Sequence, residues 1–397
     1  MNKTILHLDM NSYFATAEQQ ANPFLRHKPV GIVKAKGRGC VIAASVEAKK
    51  FGVKTGCTVW EAKALCPQII LVPSDMDKYF AITQKLIEIA TGYSPIMEVF
   101  SIDEMFLDIT DTQKLYPGGM LQIALELKTA IKTDIGDYLK CSVGISFSKI
   151  LAKLASEMRK PDGLTILTPD NFLAATENIA VEEVCGIGYA RTKFLHDLGV
   201  FTLGTARKLN SLPSEIADLV WLRLDEDLTT IADLDPAKSV SRTYTTFKTL
   251  NAQDLIQKLV RNLIEEAAAK LREMNMTGRT LYLSLDADHY VKTIKNPTND
   301  PQIIFDLLWK EYLRHPVESA RFAGVSVSNL MFNNQCSMFN TKDNVLKAVD
   351  SINDKFGLFT VYPSSLLGGE LIRPEVTGYL GDKYYRFNLS AQAGTAS

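Results

Sequence analysis

The chain has 397 residues, 46% of them hydrophobic, with 44 Lys/Arg against 45 Asp/Glu. That length exceeds one ordinary domain and supports roughly two to four. The six cysteines form no CxxC pair and no zinc-type spacing with the five histidines, the opening residues contain no apolar leader, and no hydrophobic run approaches a membrane span. A disulfide scaffold, a zinc module and a membrane protein are therefore excluded, and the chain reads as cytoplasmic with reduced thiols.

In chain order, Ile5, Leu6 and Leu8 belong to a short strand run ending at Asp9, and V-I-A-A-S-V at 41–46 and S-V-G-I-S at 142–146 read as further strands. Residues 78–91, 120–135 and 148–159 have the spacing of amphipathic helices, the last stopping before Pro161. This mixture predicts an α+β or α/β domain through residue 165. Residues 166–235 turn acidic and helical without clear strands, and a linker follows at 234–239. Beyond it, strands at 280–285 and 323–328 alternate with helical patterns at 253–274 and 301–314, a separate α+β module. The tail after about Asn333 shows little strand or core character. The near-zero net charge hides a segregation: residues 11–73 carry nine Lys/Arg against three Asp/Glu, and residues 166–235 carry five against twelve. One basic lobe is compatible with a polyanion or simply with solubility.

Residues 99–108, V-F-S-I-D-E-M-F-L-D, place Asp103 and Glu104 side by side in an otherwise apolar run. If E-V-F-S-I and M-F-L-D-I neighbour the first strand, Asp9, Asp103 and Glu104 can meet at one sheet edge. Three such acids repel unless a cation neutralises them, and oxygen ligands without His or Cys suit Mg²⁺, as in phosphoryl transfer. The competing reading is a pair of turn residues and a strand-end cap. Lys149, Lys153 and Lys160, spaced by four and seven, are expected on one helix face; they are either a counter-charge for a triphosphate or a solvated stripe.

Together these residues resemble the Y-family translesion DNA polymerases of the DinB/UmuC type. The matching motifs are L-D-M-N-S-Y-F-A at 8–15, E-A-K-K-F-G-V at 47–53, S-I-D-E at 101–104, V-G-I-S…K-I-L-A-K-L-A-S-E-M-R-K-P-D-G at 143–163 and C-G-I-G at 185–188. The resemblance implies a right-hand α+β multidomain polymerase. Its palm (a ferredoxin-like antiparallel sheet plus helices) would be 1–10 and 74–165, its small fingers 11–73, its helical thumb 166–233 and its α+β little finger 240–332, with a tail at 333–397. An acidic thumb is less expected of an element that grips DNA.

The resemblance also implies the roles. Asp9, Asp103, Glu104 and the Met10 carbonyl match the ligands of two Mg²⁺ ions. Lys160 matches the lysine on the incoming triphosphate, and Asn11, Ser12, Tyr13 and Phe14 the segment cradling its phosphates. Phe14 also matches the steric gate against a ribose hydroxyl. Lys49 stands where many members have arginine, and Val46 where they have tyrosine, so Lys49 neutralises phosphate without a planar fork. Gly186 and Gly188 resemble a helix-hairpin-helix on DNA phosphates, and Gln335, Met338 and Phe339 a peptide that docks on the bacterial sliding clamp. The implied partners are primer-template DNA, dNTPs and that clamp, with a monomeric chain and no proofreading. The competing functions are another palm-type nucleotidyltransferase or cyclase, and a catalytically silent DNA- and clamp-binding accessory protein.

Overall fold

All six residues of β1 (Ile5–Met10) are buried, because this strand lies at the centre of a five-stranded sheet with both faces covered. In this computed structural model, residues 3–35, 38–223, 227–228, 237–333, 341–357 and 359–367 are described. They fall into two compact units, one on each side of residues 229–236.

In the first unit, α1 (Tyr13–Ala21) follows β1. A small three-stranded sheet then forms from β2 (Val30–Ala35), β3 (Arg38–Ala44) and β4 (Ile70–Pro73) in the order β3-β2-β4. Strand β3 ends at Ala44 rather than reaching Val46. The Ser45 hydroxyl accepts the Ala48 N–H at 3.2 Å, and this cap starts α2 (Val46–Lys49). Helix α3 (Val59–Leu65) opens with a Thr58/Glu61 capping box.

The five-stranded sheet has the order β5-β6-β1-β7-β8, with β5 (Met97–Val99), β6 (Glu104–Asp108), β7 (Cys141–Ser146) and β8 (Leu164–Ile166). All pairs are antiparallel except β7–β8. Alternation divides β1 between two environments. Leu6, Leu8 and Met10 join the core under α4 (Met76–Thr91) and α5 (Gly119–Asp134), with Tyr79, Leu86, Ile123 and Leu127. Ile5 packs on the opposite face against Phe106 and Ala152 of α6 (Lys149–Met158). Helix α6 lies directly on β7 because residue 144 is glycine: a Cβ there would stand 2.0 Å from the Ala152 carbonyl oxygen.

Residues 166–223 form α7 (Phe172–Ala175), α8 (Tyr189–Asp197), α9 (Leu203–Ala206) and α10 (Ser214–Val220). Their core of Leu195, Leu203, Leu219 and Val220 is shared with Leu151 and Leu154 of α6, which ties this helical region to the sheet.

In the second unit, β9 (Ser239–Leu250), β10 (Met276–Leu285), β11 (Asp288–Thr298) and β12 (Ala320–Phe332) form an antiparallel sheet of order β11-β10-β12-β9. Helices α11 (Gln253–Glu273) and α12 (Pro301–Tyr312) share its core. Sequence pattern reveals the two central strands but not β9 and β11, which are the edges and bury little. The tail does contribute structure: α13 (Thr341–Phe356) is anchored by Asp350 on Arg272 at 2.6 and 2.7 Å, and Leu366 is buried. No helix among the described residues is long and apolar enough to cross a membrane, and Cys40, Cys57, Cys66, Cys141 and Cys185 are free thiols.

Candidate active site

Strands β1 and β6 pair with Asp9 directly opposite Glu104, which puts both side chains on one face. Asp103 occupies the turn between β5 and β6, and its carbonyl accepts the Met10 N–H at 2.9 Å. The two acids are thus adjacent in sequence because one ends a turn and the next begins a strand. The Asp103 carboxylate accepts a short hydrogen bond from Ser101 Oγ. Asp9 is buried, which pushes its carboxyl pKa up to about 7; Lys160 opposes the rise and Glu104 adds to it.

Two lysines face these acids, and a third, Lys149, pairs with Glu98 of β5. Lys153 Nζ lies 2.7 Å from Glu104 and Lys149 Nζ 2.8 Å from Glu98. Lys160 Nζ lies 2.8 Å from Asp9 Oδ1. Burial works to lower the Lys160 pKa, but Asp9 and Glu157 outweigh it and raise it. Lys160 does not share the face of α6 with the other two, as the spacing predicts; the helix ends at Met158. Pro161 disfavours helix at the residue before it, and Gly163 passes so close that a Cβ would stand 1.7 Å from the Arg159 carbonyl oxygen. The turn returns Lys160 to Asp9. Lys49, at the end of α2, feels the same site: burial and then Lys160 lower its pKa, against Asp9 and Glu157.

The segment after β1 turns sharply at Ser12, whose φ is 51°, and enters α1. The Asn11 N–H is already bonded to the Lys140 carbonyl at 2.8 Å, and its side chain joins Ser142 to the Asp162 N–H. The amides of the first turn of α1, which include Tyr13 and Phe14, have no intrahelical acceptor and are the ones suited to an anion. Tyr13 points into the core, donating to the Tyr79 carbonyl at 2.7 Å. Phe14 is half-buried and stacks on Tyr79 with ring centroids 4.3 Å apart.

A cavity of about 390 Å³ runs from Lys149 and Lys153 to Gly186 and Arg191. Gly186 has φ 98°, which favours glycine, and Arg191 donates to its carbonyl at 2.7 Å. Gly188 has ordinary backbone angles and caps α8. Gln335, Met338 and Phe339 lie outside the described residues.

Residues 8–157 match the impB/mucB/samB family, and residues 237–338 match the C-terminal domain of that family. The chain is 33% identical to a DNA polymerase IV of Pelotomaculum thermopropionicum over 90% of its own length and 94% of that protein's. It is 31% identical to a DNA polymerase IV of Bacteroides fragilis, over 82% and 93%. The chain belongs to the Y-family of DNA polymerases. It is accordingly a DNA-directed DNA polymerase of the translesion class.

The fold of this Y-family chain agrees with solved structures. The Y-family DNA polymerase chimera Dbh-Dpo4(243-245)-Dbh superimposes with a TM-score of 0.69 at 24% identity, covering 83% of this chain and all of that one. An insertion ternary complex of Dbh DNA polymerase gives 0.54 with the same coverage. Two residues beside the acid edge escape a motif-based reading. Lys153 appears in the sequence as part of a stripe, without its partner Glu104, and His7 carries no motif. Strand alternation is the signal for His7, two residues before Asp9.

Proposed function

We propose that this polymerase performs templated nucleotidyl transfer at the edge built by Asp9, Asp103 and Glu104, with these carboxylates and the Met10 carbonyl as ligands of two Mg²⁺ ions. The observation that supports this most is the pairing of Asp9 with Glu104 across β1 and β6, with Asp103 joined to Met10 beside them. The donors are all hard oxygens, which fits Mg²⁺. Among the described residues no three acid, His or Cys side chains already form a metal cage; the lysines neutralise the carboxylates instead. Binding a cation therefore requires Lys153 and Lys160 to let go. When bound, the metal supplies acidity to the primer 3′-OH and charge neutralisation to the phosphates.

The primer oxygen bonds to the α-phosphorus of the dNTP as pyrophosphate leaves. Lys160 turns from Asp9 to the triphosphate, Lys49 assists it, and the first-turn amides of α1, with Ser12, Tyr13 and Phe14, hold the phosphates. Asn11 acts through its side chain, which fixes the end of β1. Phe14, backed by Tyr79, is a wall against a ribose 2′-OH. Residues 1–10 and 74–165 are the palm, 11–73 the fingers, 166–233 the thumb and 240–332 the little finger. The Gly186–Gly188 turn approaches a DNA phosphate. Gln335, Met338 and Phe339 bind the sliding clamp, and the chain works as a cytoplasmic monomer without proofreading.

Primer extension with Mg²⁺ and dNTPs on undamaged and abasic templates tests this reading. Extension by wild type that disappears in Asp103→Ala/Glu104→Ala is expected, with synthesis past the abasic position. Phe14→Ala is expected to gain ribonucleotide incorporation while still using dNTPs. Extension by the double variant at the wild-type rate would overturn the assignment of the acids, and unchanged sugar selectivity that of the gate.

A further inference from the structure

The turn that carries Lys160 is held from behind by Lys128 of α5, whose side chain is mostly buried. Its Nζ donates to the carbonyls of Asp162 at 2.8 Å, Cys141 at 2.9 Å and Gly163 at 3.2 Å. The Asp162 carboxylate stands 2.8 Å away as well. An ammonium has three N–H bonds and no acceptor, so three carbonyls match its donors and the carboxylate balances its charge. Four oxygens drawn to one point repel one another unless a cation sits among them.

The turn needs such a hold. Asp162 has φ 61°, a left-handed conformation that is uncommon outside glycine and persists where the surroundings enforce it. Asn11 Oδ1 accepts the Asp162 N–H at 2.7 Å, which fixes the turn to the end of β1. Lys128 fixes it to the start of β7 through the Cys141 carbonyl. Two residues before Asp162, Lys160 Nζ meets Asp9 at 2.8 Å. The partners of Lys128 lie on β7 and on this turn, and none is an acid of the edge, so its influence on the site passes through the turn.

We propose that Lys128 is a positioning residue for nucleotide binding: with Asp162 it locks the turn at 160–163, so that Lys160 keeps its place when it leaves Asp9 for the triphosphate. This rests on the reading of Lys160 as the triphosphate lysine.

Single-nucleotide insertion by the full chain, with Mg²⁺ and primed template, tests it through KM for dNTP against kcat. Lys128→Met keeps most of the side chain's length and removes its charge and donors. It is expected to raise KM about 10-fold with a smaller change in kcat, as a displaced binding group does. In a Lys160→Met background the same substitution is expected to add nothing, because no lysine is left to position. A residue that only stabilises the fold would lower the melting temperature and leave KM alone. A charge acting on the triphosphate through space would raise KM by the same factor in both backgrounds. Either result overturns the proposal. If Lys128→Met fails to fold, Asp162→Gly decides, since glycine keeps the left-handed backbone and deletes the carboxylate beside Lys128. A KM raised in the wild-type background but not in Lys160→Met supports the proposal; an unchanged KM, or one raised equally in both, overturns it. The two readings fail differently. If Lys160→Met leaves KM unchanged, the triphosphate role of Lys160 fails and the role of Lys128 with it; if Lys160→Met raises KM and Lys128→Met does not, only the role of Lys128 falls.

Discussion

Both units pair acids with cations, and the acid edge of the first does so with lysines where two residues of α11 in the second are arginines. In the first unit, Glu98, Glu104 and Asp9 each face a lysine, at 2.8, 2.7 and 2.8 Å. In the second, Arg272 grips Asp350 through two nitrogens while also donating to the Asn299 carbonyl at 3.1 Å. Arg261 donates to Gln302 at 2.7 Å and lies over the Phe305 ring. A lysine offers a point charge on a flexible stem and can exchange one anion for another, whereas an arginine fork making several bonds at once must break them together. The lysine edge is suited to handing its acids to a ligand, and the arginine contacts are suited to holding a helix in place.

That contrast predicts that variants of the two regions separate activity from stability. Asp9→Asn should lower primer extension by at least about 10³-fold. Its melting temperature should hold or rise, because burial already drives the Asp9 carboxyl toward neutrality; parallel loss of activity and melting temperature would break the comparison. Lys160→Met should raise the KM for dNTP about 30-fold, the worth of one charge-assisted hydrogen bond, with a smaller change in kcat. An unchanged KM would leave Lys160 as no more than the counter-ion of Asp9.

Arg272→Leu should do the reverse: a loss of about 2 kcal/mol in urea unfolding, with extension per folded molecule unchanged. A Glu266→Gln variant sharpens the same point through pH. Burial raises the Glu266 carboxyl to about 8 from 4.5, against the pull of Arg242 and the Asn262 hydrogen bond. The native state thus keeps a proton that the unfolded chain loses, and stability falls as pH rises between about 4.5 and 8. Glu266→Gln should flatten that slope, an effect of about 1 kcal/mol or more between melts at pH 5 and pH 8. An unaltered slope would mean that Glu266 is charged in the folded protein.

Much of the architecture is legible in the chain because its signals are local. The helices at 76–91, 119–134, 253–273 and 301–312 follow apolar spacing to within two residues. The edge strands β9 and β11 are not legible, because strands with one protected side carry too few apolar residues to alternate clearly. The anchoring of α13 is equally hidden, since it depends on one arginine 78 residues away from its partner. In the site, Asp9, Asp103 and Glu104 stand out as acids in apolar runs. Which lysine meets which acid does not, and helical spacing alone misplaces Lys160.

The sequence by itself determined the residue types at the acid edge, a separate α+β module beyond the linker at 234–239 and the family, because motifs and periodicity are carried by neighbours in the chain. Only the tertiary structure decided that Asp9 pairs with Glu104, that Lys153 and Lys160 neutralise them, and that His7 faces Glu104 with Ser156 behind it. Those contacts join residues from 49 positions apart, Lys153 and Glu104, to 151 apart, Lys160 and Asp9. Their partners are chosen by strand register and by how closely α6 can approach β7 over Gly144, and neither quantity is written in any local stretch of the chain.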